Sequence, residues 1–312
     1  MFLTNGVQWE RQRRIIDPAF EGGRLRDSFP AMLAAAKAAV SRLASQGSGE
    51  VEIEAVASHA AADVIFRTLF SIPIEDEAAN RVFSLFRDFQ RSQPILNMAA
   101  FVPLPRWMPR FFSRRTKDGA REIRTLIRAL TERRLTDIEA KTAPDDLATK
   151  IMTTVDPVTG DSFDTDEMVD QVAIFFLAGH ETSASALAWA LYLMARFPQW
   201  QEKVAREAEA GLSRDFASVS KLRISRDVFR ETSRLYPPVP MMVREAACPQ
   251  NFRGRAVAKG AQIVLSPWHL HRHERIWDRP DEFDPARWQT EAGKQCGRDA
   301  YIPFSAGARV CT

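Results

Sequence analysis

The chain carries the stretch FSAGARVCT at residues 304–312, in which Phe304, Gly307, Arg309 and Cys311 form Phe-x-x-Gly-x-Arg-x-Cys. A glycine at such a bend permits positive φ and lets a flat group approach the backbone. An arginine two residues before a cysteine can favour its thiolate or bind an anion. A thiolate held in a loop, with backbone N–H groups aimed at its sulfur, is a good axial ligand for haem iron. A single cysteine is more often an inert buried thiol, and Cys248 and Cys296 take that reading. The pattern around Cys311 is too specific for it.

A second cluster is FFLAGHETSAS, residues 175–185. Ala178 and Gly179 thin the helix there, which would let a ligand reach its backbone. Glu181 and Thr182 follow, an acid beside an alcohol. Alone, the pair reads as a surface turn with Thr182 bonded to a carbonyl four residues back. Phe175, Phe176 and Leu177 before it, and Leu187, Ala188 and Trp189 after it, predict burial instead. A buried acid–alcohol pair can relay protons. In VFRETSRLYPPVP, Glu231 and Arg234 stand three apart and share a helix face. Trp9 and Arg13, four apart in WERQRR, do the same, and Arg287 in FDPARW is unremarkable in isolation. In HLHRHE, His269, His271 and His273 would line one face of a strand. Three such imidazoles could hold zinc, but no fourth ligand has a persuasive spacing.

These groups need a framework. At 312 residues, 45% hydrophobic and 27% charged, the composition is that of a globular chain able to bury a large core. No run of about 18 apolar residues occurs, so nothing here spans a bilayer. The start, MFLTNGVQWERQRR, lacks an apolar stretch of signal-peptide length. Three cysteines make no disulfide framework, which points to a reducing, cytoplasmic compartment. The net charge of +3 is carried largely by arginine, clustered at WERQRR and RLRD. Such clusters are either a solvated helix face or a patch for an anionic group or acidic partner. No nucleic-acid-binding motif accompanies them.

Residues 5–230 read mostly as helices, without repeats or low-complexity blocks. FPAMLAAAKAAVSRLASQ (29–46) is strongly helical and ends at Gly47-Ser48-Gly49. EIEAVASHAAADVIFRTLFS (52–71) follows at helical period. The three prolines of FVPLPRWMPRFF (101–112) predict an apolar loop, helices resume through Arg134, and APDDLATKIM begins a short one. The longest helix starts near Asp164, capped reciprocally with Glu167, and runs to Phe197 before Pro198. At about 33 residues it measures roughly 50 Å, and its apolar residues nearly all round predict a central position. Beyond Pro237-Pro238, RGRAVAKGAQIVLSPW reads as short strands around a glycine turn.

Taken in order, these motifs resemble those of the cytochrome P450 family of haem-thiolate monooxygenases, over essentially the whole chain. The terminal loop is similar to the family's haem-binding signature, AGHET to its oxygen-activation motif, and ETSR to its Glu-x-x-Arg motif. WERQR resembles its Trp-x-x-x-Arg motif. The resemblance implies haem (iron protoporphyrin IX) as cofactor, with Cys311 as the proximal metal ligand and Phe304, Gly307 and Arg309 around it. It implies Glu181 and Thr182, behind Ala178 and Gly179, as the catalytic acid–alcohol pair, and Glu231, Arg234 and Arg287 as a structural triad. Trp9, Arg13, Arg244 and Arg309 would face the haem propionates. The implied fold is mainly α with a minor β-sheet. It would form one partial domain over 1–312, helical over 1–236, with a strand, loop and haem-binding region over 237–312. The resemblance further implies a chain that starts at the family's third major helix and stops before the helix behind the haem. Thr312 stands where a small aliphatic residue is more usual.

The activity so implied is insertion of one oxygen atom from O2 into an apolar organic substrate. Electrons would come from NAD(P)H through a separate ferredoxin or flavoprotein reductase, since no G-x-G-x-x-G fingerprint occurs here. Arg11, Arg13 and Arg14 would form the docking patch for that partner. Phe175, Phe176, Ala178 and the 101–112 loop suggest an apolar cavity, and fatty acid, terpene, steroid and xenobiotic all fit it. No nucleic acid and no membrane segment enter this reading, which fits a soluble bacterial enzyme. Two alternatives remain: a peroxide-driven or isomerase-type haem-thiolate enzyme, which needs no Glu181–Thr182 relay, and a non-catalytic haem-thiolate remnant.

Overall fold

The computed structural model describes residues 4–21, 23–92, 113–213 and 215–311. The proline-rich 101–112 segment and Thr312 lie outside the described residues. The helices are α1 (Gly6–Ile16), α2 (Arg24–Ser45), α3 (Ile53–Phe70), α4 (Glu77–Arg91), α5 (Arg114–Glu139), α6 (Leu147–Thr153), α7 (Thr165–Arg196), α8 (Pro198–Gly211) and α9 (Arg223–Leu235). Then come strands β1 (Met242–Glu245), β2 (Gln250–Phe252), β3 (Arg255–Val257) and β4 (Gln262–Leu265), with helices α10 (Pro267–Leu270) and α11 (Glu291–Ala300). The protein is mainly α with a minor antiparallel β component, as the sequence implies. Among the described residues, no helix is long and apolar enough to cross a membrane.

The chain forms two compact units, residues 1–49 with 59–181 and residues 50–58 with 182–312. In the first, Ile15, Phe66, Phe83, Phe86, Ile127 and Phe176 belong to one continuous buried cluster. The Phe176 ring lies 4.4 Å from that of Phe86 and 5.1 Å from that of Phe66. Phe175 packs on Phe20 at 5.7 Å. Both phenylalanines expected to line a substrate cavity therefore serve the core of this unit. The start of α7 is capped reciprocally, since Asp164 Oδ1 accepts the Glu167 N–H at 2.7 Å while Glu167 Oε2 accepts the Asp164 N–H at 3.2 Å. That satisfies two of the donors a helix start leaves unpaired.

In the second unit, β1 pairs antiparallel with β4, Met242 opposite Leu265 and Glu245 opposite Gln262. Strand β2 pairs with β3, and these are two separate two-stranded ladders. Their turns need glycine, because Gly254 and Gly260 sit at φ +77° and +83°. Helix α9 has no side-chain cap of its own. Glu207 of α8 supplies one, its carboxylate accepting the Ile224 and Ser225 N–H groups at 2.7 and 2.8 Å. The segment after α10 is packed tightly enough to constrain single atoms. A Cβ on Gly293 would stand 2.0 Å from the backbone oxygen of Arg287. Gly293→Ala must therefore push backbone apart. We expect it to cost about 2 kcal/mol or more in urea unfolding, and an unchanged midpoint would remove this account of the packing.

Candidate functional site

A dense polar cluster is built on α9. Glu231 is fully buried, and its two oxygens accept five hydrogen bonds. Arg234 donates from Nε and Nη2 at 3.0 and 2.9 Å. Arg287 Nε donates at 2.9 Å, Trp288 Nε1 at 3.0 Å and the Asp284 N–H at 3.1 Å. Arg234 is itself fully buried, and it spends its remaining donors on the backbone oxygens of His271, at 2.8 Å, and of Pro280 and Glu282. Arg287 donates to the oxygens of Asp278 and Arg279. The cluster therefore holds two guanidinium groups against one carboxylate, and carbonyl dipoles absorb the excess positive charge. The structure brings Glu231, Arg234 and Arg287 together in one buried unit. Trp288 is a fourth member that sequence reasoning passed over, although it adjoins Arg287 in FDPARW.

The Cys311 loop lies on the surface of the same unit, with the thiol exposed. Gly307 adopts φ +76°, the left-handed region that glycine enters without strain. The loop closes on itself where the Cys311 N–H donates to the Phe304 oxygen at 3.0 Å. Arg244 on β1 donates from Nη2 to Ser305 Oγ at 2.9 Å. Phe304 is half exposed, so the loop presents an aromatic ring as well as a thiol to solvent. At its base, His271 Nε2 accepts the Ile302 N–H at 2.9 Å, and the imidazole is fully buried beside the Tyr301 ring at 5.4 Å. Burial pushes His271 down to about 4, helped by the neighbouring Arg234 charge and opposed by backbone contacts of Arg234 and Ser233. Burial likewise pushes the Tyr301 phenol above its ordinary range. An accepting Nε2 requires that Nδ1 carry the proton of the neutral ring.

Other expected features change in the structure. The three histidines do not share a strand face, because Pro267–Leu270 forms a short helix and only His271 turns inward. Among the described residues, no group of three His, Cys, Asp or Glu side chains could hold a metal ion. Glu181 is exposed, not buried, with its carboxylate accepting Gln90 Nε2 at 3.2 Å. Leu177, Leu187 and Trp189 also face solvent, so local apolar composition overstated burial here. Thr182 is half-buried. Helix α7 continues unbroken through Ala178 and Gly179. What approaches Gly179 is Ile65 of α3, whose Cδ1 would lie 3.2 Å from a Cβ there. Cys248 is exposed rather than buried.

On α1, the Arg13 guanidinium lies 6.0 Å from the Trp9 ring and pairs with Asp17 at 3.0 Å. Arg11 pairs with Glu167 at 2.7 Å, and Arg14 grips Asp156 at 2.6 and 2.9 Å. The Arg14 hydrogen bonds hold Asp156 well below the usual carboxylate range. All three arginines expected to form an open basic patch thus answer carboxylates of their own chain.

The donor set on the terminal loop fits an anionic iron porphyrin. A solvent-facing thiol stands two residues from one guanidinium, and Arg244 is tied to the same loop. The fold has solved counterparts. The haem domain of a cytochrome P450DA mutant superposes with a TM-score of 0.82 at 24% identity, over 99% of this chain and 68% of that one. The chain belongs to the cytochrome P450 family, whose model matches residues 1–312. Cyclooctatin synthase of Streptomyces melanosporofaciens is 30% identical over 100% of this chain and 67% of its own length. Cyclooctat-9-en-7-ol 5-monooxygenase of the same organism is 29% identical over 99% and 67%. The chain thus spans about two thirds of these relatives. Membership makes it part of an oxidoreductase family of haem-thiolate monooxygenases that use O2, an organic substrate and an electron donor.

Two measurements probe the buried cluster. Glu231→Gln leaves two buried guanidinium groups without a countercharge and should cost about 3–5 kcal/mol in chemical denaturation. A loss under 1 kcal/mol would mean that the carbonyl dipoles suffice. The His271 imidazole makes stability depend on acid. Between pH 6.5 and about 4 the unfolded chain takes up a proton that the folded chain refuses. Its contribution is therefore present above pH 6.5 and is lost as pH falls towards 4. Unfolding free energy should fall over that window, and His271→Phe should flatten this part of the curve.

Proposed function

We propose that this chain supplies the thiolate ligand, the structural triad and the proton-handling pair of a haem-thiolate monooxygenase. That enzyme inserts one atom of O2 into an apolar organic substrate, with electrons from NAD(P)H delivered by a separate ferredoxin or flavoprotein reductase. We propose, too, that residues 1–312 belong to a single domain of that family. The observation that carries the reading is the terminal loop, where Cys311 is presented at the surface of a loop braced by Gly307, Ser305 and Arg244. Family membership supplies its context.

When bound, haem would supply dioxygen activation and the one-atom transfer to a C–H bond or alkene. Cys311 would hold the iron through its deprotonated sulfur. Arg309, Arg244, Arg13 and Trp9 would take the propionates, by resemblance to the family. Glu181, open to solvent and oriented by Gln90, can take a proton from bulk water. Thr182, next along the helix and facing another way, would receive it through intervening water and pass it on. Exposure of the acid suits a proton entry point better than a sealed relay. One relative is named for acting on an alkenol as a monooxygenase. An apolar unsaturated substrate is consistent with that kinship.

The test is spectroscopic. Haem-loaded protein, reduced and bound to carbon monoxide, should give the thiolate-type Soret band, and Cys311→Ala should abolish it. Because the thiol is exposed, that substitution should change stability by no more than about 0.5 kcal/mol. A band that survives Cys311→Ala would place the ligand elsewhere. In a turnover assay with a redox partner, Thr182→Ala should lower product formed per NADPH consumed. Unchanged coupling there would end the relay assignment.

A further inference from the structure

One buried histidine joins the two parts of the site. The backbone oxygen of His271 accepts Arg234 Nη1 at 2.8 Å, and its ring Nε2 accepts the Ile302 N–H at 2.9 Å. Ile302 is held from the other side as well, since its oxygen accepts the Ser305 N–H at 3.1 Å. Ser305 Oγ in turn accepts Arg244, and the Phe304 oxygen accepts the Cys311 N–H. A series of hydrogen bonds, joined by short stretches of backbone, therefore runs from the buried Glu231–Arg234 pair, through one imidazole, to the backbone of Cys311. The imidazole is the only side chain in that series linking α10 to the segment that leads into the loop. Its ring also packs against Tyr301, which fixes its plane.

We propose that His271 is a positioning residue for Cys311: its ring nitrogen clamps the Ile302 amide and so sets where the ligand loop begins. The reasons are steric and electrostatic. Loops accumulate positional error along their length, and an error at the base is carried to every later residue. A neutral imidazole accepts an N–H without bringing a second charge beside the buried guanidinium of Arg234. A carboxylate there would compete with Glu231 for Arg234, and an aliphatic residue would leave the Ile302 N–H unpaired. The proposal rests on the reading of Cys311 as the iron ligand.

The experiment compares wild type, His271→Phe and His271→Gln. Phenylalanine keeps the ring and removes the acceptor, whereas glutamine can place an amide oxygen near the position of Nε2. The first readout needs no haem: amide hydrogen exchange at Ile302. We expect His271→Phe to exchange there about tenfold faster or more, with α9 protection retained, and His271→Gln to restore protection. The second readout is the fraction of haem-loaded protein with the thiolate-type Soret band, which should fall in His271→Phe and recover in His271→Gln. Unchanged Ile302 exchange in His271→Phe overturns the clamp, as does equal loss of protection throughout α9 and β1–β4. If His271→Phe does not fold, nitrogen NMR of the wild-type imidazole decides. A proton on Nε2 overturns the proposal, and a proton on Nδ1 with a coupling from Nε2 to the Ile302 N–H supports it. Absence of the thiolate band in wild type overturns it through its premise, which the exchange measurement distinguishes from failure of the clamp.

Discussion

A carboxylate with no access to water, and two guanidinium groups on it, is the constraint around which the second compact unit is organised. Burying Glu231 alone would be prohibitive, and burying Arg234 alone equally so. The cost is met because every donor finds an acceptor. Arg234 and Arg287 together take backbone oxygens from His271, Asp278, Arg279, Pro280 and Glu282. Those five residues lie in the stretch 271–282, which has little regular secondary structure. The stretch keeps its shape because its carbonyls are ligands to fixed cations, much as a loop is shaped by a metal ion. Trp277 and Trp288 then cover the polar centre with rings, the Arg234 guanidinium lying 5.3 Å from the Trp277 ring.

The functional consequence is rigidity at one remove. Cys311 is exposed on a short loop of small residues, a poor place to hold an atom in position. Precision has to be imported, from the buried cluster through His271 at the base of the loop and from β1 through Arg244 at its middle. The first unit achieves order differently, through interlocked aromatic rings around Phe176 and the close approach of Ile65 to Gly179. Its Arg11, Arg13 and Arg14 are each paired with a carboxylate, so their charge is internal structure rather than an open field.

Much of the architecture was legible in the chain. The helix expected from about Asp164 to Phe197 is Thr165–Arg196, and that expected over 52–71 is Ile53–Phe70. Helical periodicity and capping chemistry are local, so sequence carries them directly. The Glu231–Arg234 spacing was readable for the same reason. Burial was less legible. The apolar neighbours of Glu181 predicted an interior pair, yet residues one or two apart on a helix point in different directions, and Leu177, Leu187 and Trp189 turn to solvent. Alternating histidines suggested a metal-binding strand. The serine and proline before them instead start a helical turn, with Ser266 Oγ accepting the His269 N–H.

The sequence by itself determined the class of fold, the extents of α3 and α7 and the short-range pairs, because these depend on periods of three to four residues and on caps. It also carried the motifs from which family membership could be read. Only the tertiary structure decided that Glu231 meets Arg287 and Trp288, that Arg11 and Arg14 are already paired, and that His271 reaches Ile302. Those contacts join residues separated by turns and loops whose net direction no local rule specifies. In most of them a polar group leaves water only if its distant partner arrives at the same place, and that coincidence is a property of the folded chain.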